Sequence, residues 1–200
     1  MIVLNTCYLP PVCYMALLSR NTVCMDHDER YVKQNLRTRC HILSPNGVQT
    51  LTIPVVHENL NQSLVKEVRI SYTSHWRRQH FRSIQAAYGK SAYFEHYEDD
   101  LMELFDKKYD YLWEFNLHSI RLLASNMGLN FEFSLDSHEI DRSGTEIGSL
   151  SDISKPEEIP IQKRYLQVFS DRFPFCSGLS SLDLLMNLGP QCKSYLLDWN

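Results

Sequence analysis

The first 26 residues, MIVLNTCYLPPVCYMALLSRNTVCMD, narrow the choice of fold more than any other stretch of the chain. Met1 to Thr6 reads as a short apolar strand. Pro10-Pro11 suits the start of a helix, where a missing N–H costs nothing, and Val12 to Ser19 supplies its body. Thr22 to Met25 then reads as a second strand. Two strands joined through a helix are parallel, because antiparallel neighbours need only a tight turn. Further on, Arg39–Leu43 and Gln49–Val55 flank Ser-Pro-Asn-Gly, and Asn46-Gly47 is the strongest hairpin signal present, both residues tolerating positive φ. These features predict an α/β chain: a doubly wound, mostly parallel sheet with helices on both faces and an Asn-Gly hairpin insertion.

The middle of the chain has helical spacing. Ser74 is the expected N-cap of a helix carrying Trp76, His80, Ile84 and Ala87 on one face, ended by Gly89. Ala92 to Asp106 repeats the pattern with Tyr93, Tyr97, Leu101 and Leu104. A third helix runs from Tyr111 to Met127, with Gly128 just past its end, and Leu129–Leu135 reads as a returning strand. Residues 136–160 are rich in Ser, Asp, Glu, Gly and Pro and contain no aromatic residue. They read as a flexible loop within a single domain spanning residues 1–200. Order resumes at Arg164–Phe169, and Gly178 to Leu188 forms a capped helix stopped by Gly189-Pro190.

Charge is unevenly spread. Residues 20–90 carry 11 Lys/Arg against 5 Asp/Glu, while residues 91–200 carry 9 against 19, which gives +6 and −10. The chain has seven glycines, none before Gly47. No G-x-G-x-x-G or Walker-type loop exists, so any anion binding falls to side chains. No stretch is apolar enough to predict a membrane span, and no export signal is evident. The six cysteines (Cys7, Cys13, Cys24, Cys40, Cys176, Cys192) form no C-x-x-C pair. They are expected to be thiols of a cytoplasmic protein.

Asp26 to Arg39, DHDERYVKQNLRTR, is the most polar stretch of the first half and follows a strand end directly. In open α/β sheets ligands bind outside the carboxyl ends of strands. There, Asp26 or Glu29 would act as base or metal ligand, and Lys33, Arg37 and Arg39 would neutralise a phosphate or carboxylate. The alternative is a solvated turn whose charges pair with one another. His80 is either a general acid/base or a core histidine with a satisfied hydrogen bond. Trp76 with Arg77, Arg78 and Arg82 is a weak nucleic-acid signal in a chain of net charge −4, and no nucleic-acid module accompanies it. Cys24-x-x-His27 and Cys40-His41 lack metal-site spacing, and no metal is assigned. The acidic run Glu95–Asp110 fits the exposed face of a helix.

In order along the chain, several motifs resemble the WbqC-like protein family. They are Tyr8-Leu9-Pro10, Asp26, Lys33 with Arg37-Thr38-Arg39-Cys40, Asn46-Gly47 with Leu51-Thr52-Ile53-Pro54-Val55, Trp76 with His80, and Ala87-Tyr88 with Tyr93-Phe94 and Tyr97. Tyr165-Leu166-Gln167, Leu179 to Leu185, Asn187 and Gly189-Pro190 resemble its terminal signature. The resemblance implies a bacterial protein, some relatives belonging to O-antigen and other surface-polysaccharide clusters. It suggests an acyl- or aminoacyl-type transferase acting on an amino sugar or nucleotide-sugar.

On this reading Asp26, Glu29 and His80 are the catalytic candidates. Tyr8, Lys33, Arg37, Arg39, Trp76, Gln167 and Asp183 are the candidates for binding a nucleotide-sugar or activated acyl donor. Pro11 stands where the family often has Trp, and Thr38 where it often has Asn. Longer members carry a helix and a Tyr-Leu-Ser-Gly strand where residues 136–160 stand here. A non-catalytic interaction protein, docking an acidic partner or a second copy of itself, is the competing expectation.

Overall fold

A computed structural model describes residues 2–26, 28–57, 63–129, 133–134 and 163–198. The opening segment forms strand β1 (Ile2–Leu4), helix α1 (Val12–Arg20) and strand β2 (Val23–Met25). β1 and β2 pair in parallel, Ile2 opposite Val23 and Leu4 opposite Met25. Pro11 sits one position ahead of the helix, as its N-cap, with φ −69°. Strands β3 (Arg39–Ser44) and β4 (Gly47–Thr52) form an antiparallel pair in which Ser44 faces Gly47.

The turn between β3 and β4 corrects the sequence expectation. Asn46 does not take positive φ; Gly47 does, at 104°. Pro45 and Asn46 are therefore the central residues, and Gly47 supplies the single left-handed position that follows. Ser44 Oγ reinforces the turn by donating to the Gly47 carbonyl at 2.8 Å and accepting from Asn46 N–H at 3.3 Å. β4 ends at Thr52, short of Val55, which instead bridges to Ile70.

Helices α2 (Trp76–Tyr88), α3 (Phe94–Asp106) and α4 (Leu112–Asn126) follow. Their expected faces are buried: Trp76, His80, Ile84 and Ala87 on α2, and Tyr97, Leu101 and Leu104 on α3. His75 occupies the N-cap of α2 in place of Ser74 and makes no side-chain cap bond. Tyr93 likewise stands at the cap of α3 rather than inside it. Gly128, with φ 70°, lies just beyond α4, where an L-residue would be strained.

Strand β5 (Phe133–Ser134) pairs in parallel with β2, so the parallel sheet runs β1-β2-β5. The chain is thus a mixed α/β protein with two small sheets, the parallel one three-stranded among the described residues. The 136–160 loop expectation lies outside the described residues. Helices α5 (Ser181–Leu188) and α6 (Cys192–Leu197) close the chain. Ser180 caps α5 by accepting from Leu182 N–H at 3.2 Å, and Arg164–Phe169, ahead of it, forms neither helix nor strand.

The core runs through both sheets and the helices, with Tyr8, Tyr14, Tyr88 and Phe115 its largest fully buried side chains. All six cysteines are thiols rather than disulfides, and only Cys176 is not buried. Among the described residues no helix is long and apolar enough to cross a membrane.

Candidate functional site

Two segments leave the carboxyl ends of the parallel strands: residues 5–9 after β1 and residues 26–38 after β2. A backbone bond from Asp26 N–H to the Leu4 carbonyl (3.0 Å) starts them side by side, and another from Tyr8 N–H to the Leu36 carbonyl (2.8 Å) joins them again. Asn5, Thr6, Asp26, Glu29, Asn35, Arg37 and Thr38 are all buried along this pair. So many buried polar side chains in one place are unusual, because each needs a partner to offset its lost hydration.

Arg37 is the most firmly held of them. Its Nε donates to Glu29 Oε2 at 2.9 Å, and its terminal nitrogen donates to the same oxygen. Asn35 Oδ1 accepts the Arg37 N–H at 3.1 Å, and Asn116 Nδ2, reaching from α4, donates to the Arg37 carbonyl at 2.8 Å. A buried ion pair of this kind fixes a loop's shape, since breaking it leaves a bare charge in the interior. Glu29 is tied to the fold on its backbone too, its carbonyl accepting from Val65 N–H at 2.9 Å.

Other polar atoms here are buried without a hydrogen-bond partner among the described residues: Thr6 Oγ1, Asn35 Nδ2, Arg39 Nε and Asn116 Oδ1. Arg39 is half-buried, and among the described residues its guanidinium makes one hydrogen bond, a long contact of 3.4 Å from a terminal nitrogen to the Gln34 carbonyl. Among the described residues, the non-glycine residues with positive φ fall in the same two segments: Leu9 at 40° and Gln34 at 62°. Such strain persists only where the surroundings enforce it, and it gathers at functional loops. Asp26 carboxylate accepts from Asp28 N–H at 3.0 Å, the geometry of an Asx turn. Lys33 is exposed.

His80 stands in an aromatic cluster below this region. The Tyr8 hydroxyl lies 2.8 Å from His80 Nδ1, and the ring also donates to the Thr52 carbonyl. With one nitrogen donating to a carbonyl, Nδ1 of the neutral ring accepts from Tyr8. Burial pulls the His80 pKa down to about 4 from 6.5, so the ring is uncharged near neutrality. Trp76 packs edge-on against it, ring centroids 5.2 Å apart, and is itself buried, with its indole N–H unpartnered among the described residues.

Gln167 and Asp183 form a separate clip. Gln167 Nε2 donates to the Cys176 carbonyl at 3.0 Å and to Asp183 Oδ2 at 2.9 Å, while its Oε1 accepts the Cys176 N–H at 2.9 Å. Asp183, fully buried in the first turn of α5, also accepts from the Tyr165 hydroxyl at 2.6 Å. The Tyr88 hydroxyl, which accepts from Leu43 N–H at 3.3 Å, donates to the same carboxylate. Burial raises the Asp183 pKa, and the donors from Tyr165, Gln167 and Tyr88 only partly oppose that rise.

The Cys40 thiol, whose pKa burial raises, bonds to Tyr8 and lies within electrostatic reach of Tyr88. It stands between the Tyr8–His80 pair and the Asp183 clip.

The expected residues therefore fall into three groups. Asp26, Glu29 and Arg37 share the loop after β2, with Lys33 exposed on it and Arg39 opening β3 beside it. Tyr8, Trp76 and His80 share the aromatic cluster. Gln167 and Asp183 hold the C-terminal segment. Sequence reasoning missed Asn35, Thr6 and Asn116; the first two lie in the polar segments after strands, but Asn116 is on a helix face with no local signal. Among the described residues, no three His, Cys, Asp or Glu side chains converge as a metal set would require.

The chain belongs to the WbqC-like protein family, whose model matches residues 6–159. The loop and the aromatic cluster lie inside that span, while Gln167 and Asp183 lie beyond it. The chain is similar to Rv1507c, an uncharacterized protein of Mycobacterium tuberculosis, with 23% identity over 199 residues covering 84% of each chain. No solved structure matches it.

Proposed function

We propose that this WbqC-like protein is a cytoplasmic transferase acting on an amino sugar or nucleotide-sugar in bacterial surface-polysaccharide (O-antigen) biosynthesis. Its site lies on the segments leaving β1 and β2, at the carboxyl edge of a doubly wound sheet. The observation that carries this reading is Arg39 Nε, a charged group's donor buried without a partner beside a strained loop. The donor's anionic group would meet Arg39 and the exposed Lys33. Arg37, already paired with Glu29, shapes the loop rather than reaching for ligand.

In this proposal Asp26 takes the proton from the attacking amine or hydroxyl as that atom bonds to the donor's acyl carbon, the leaving group departing with its bonding electron pair. His80 is the less available base, since its Nδ1 already accepts from Tyr8 and the ring donates to the Thr52 carbonyl. The test is mass-spectrometric detection of acylated product after incubating the protein with amino sugars, nucleotide-sugars and activated acyl donors. Product formed by the natural chain and lost in Asp26→Asn supports the assignment. Absence of product across the panel, or unchanged turnover in Asp26→Asn, refutes it.

A second reading is supported by the internal pairing of Glu29 with Arg37 and of Gln167 with Asp183. On that reading the fold is kept and the chemistry lost, the basic first half docking an acidic partner or the acidic half of a second copy. Size-exclusion chromatography at low and high salt distinguishes it: salt-sensitive self-association without a ligand-induced rise in Tm favours the interaction protein.

A further inference from the structure

We infer that a second ligand site lies in the cleft between the start of α2 and the end of α3, and that it takes an anionic head carried on an apolar body. The cleft encloses about 560 Å³ and is lined by none of the residues discussed above for the loop. That volume falls within the roughly 300–1,000 Å³ of small-molecule sites.

Its walls divide by chemistry. Phe81, Phe105 and Met102 give it an apolar side, and Met102 is 41% exposed. The other side is cationic: Arg77, Arg78 and Lys108 against the single carboxylate of Asp106, three formal charges less one, or +2.

Tyr72 anchors the cationic side. Its hydroxyl donates to the Tyr109 carbonyl at 2.7 Å and accepts the Tyr109 N–H at 3.1 Å, which fixes the ring. Arg77 Cζ and Lys108 Nζ sit 5.3 and 5.1 Å from the centre of that ring. Arg77 is already engaged, donating to the Phe105, Asp106 and Lys107 carbonyls that end α3. Arg78 is exposed and, like Lys108, makes no ion pair with any described residue. These two cations, beside the exposed Met102 thioether and the partly buried Phe81 ring, are the recognition elements.

An inorganic anion would leave the apolar wall unused, and a neutral hydrocarbon would leave both cations unused. A carboxylate on an acyl chain and an organic phosphate share the chemistry that uses both. The site stands independently of the transferase reading.

Isothermal titration of the full chain with octanoate, octyl phosphate, inorganic phosphate and octanol tests it. Octanoate or octyl phosphate should bind at least about tenfold more tightly than phosphate or octanol, and whichever is tighter identifies the head group. The exposed pair Arg78→Ala with Lys108→Ala should weaken that ligand roughly tenfold or more while Tm holds. Met102→Glu, also at an exposed position, should weaken the amphiphile and leave phosphate unchanged. Equal affinity for phosphate and octyl phosphate, no heat from either amphiphile, or undiminished binding in the Arg78/Lys108 variant would each overturn the proposal.

Discussion

Two of the buried carboxylates, Glu29 and Asp183, are held by opposite means. Glu29 is set against a full positive charge, the guanidinium of Arg37, whereas Asp183 rests among neutral donors from Tyr165, Gln167 and Tyr88 at the start of α5. An ion pair removed from water depends on both members, because losing either strands the other. A carboxylate held by neutral donors can shed its charge by taking up a proton, and its raised pKa expresses that option. The loop after β2 is therefore rigidly and electrostatically set, with a further arginine beside it, while the C-terminal clip is a fastening that tolerates neutralisation.

The largest effect that would break this contrast is Arg37→Met. It leaves the Glu29 carboxylate in the interior, and urea denaturation should show a loss of about 3–5 kcal/mol. Adding Glu29→Gln to that variant should restore part of the loss. A single variant as stable as the natural chain would mean the pair does not set the loop.

Next comes a pH effect with a definite sign. His80 is neutral in the folded protein down to about pH 4, while the unfolded chain takes up its proton near 6.5. The unfolded state thus binds more protons in that window, so His80's share of stability is complete above about 6.5 and drains away as pH falls to about 4. The window corresponds to on the order of 3 kcal/mol, and His80→Gln should flatten the dependence there.

Asp183 acts the other way. Its raised pKa means the folded state holds a proton that the unfolded chain has released, so its contribution weakens as pH rises through that interval and returns on acidification. Asp183→Asn keeps the shape and one acceptor, and should cost only about 1–3 kcal/mol, with the deficit growing as pH falls. Tyr165→Phe, removing one donor, is the smallest change at about 1 kcal/mol.

The legible part of the sequence was local. The strand–helix–strand opening, the buried faces of α2 and α3 and the stop at Gly128 all follow from spacing and backbone chemistry. The turn at Pro45-Asn46-Gly47 was foreseen in place but not in form, because Pro45 already suits the first central position and moves Asn46 into the second. Glu29 with Arg37 was visible as a polar run, yet its burial was not, since charge composition alone reads equally as a solvated turn. Asn116 and Tyr88 were unreadable as polar partners: both lie on apolar helix faces, and their roles depend on contacts 79 and 45 residues away along the chain.

In the proposed function the loop after β2, with Arg39 beside it, meets ligand while the Asp183 clip only holds the fold. The most direct test is the affinity of Arg39→Ala and Asp183→Asn for the nucleotide-sugar or acyl donor that most raises the Tm of the natural chain. Arg39→Ala should lose roughly tenfold or more in affinity with little change in stability, and Asp183→Asn should lose stability but keep its affinity. Intact binding in Arg39→Ala with binding lost in folded Asp183→Asn would contradict the proposal.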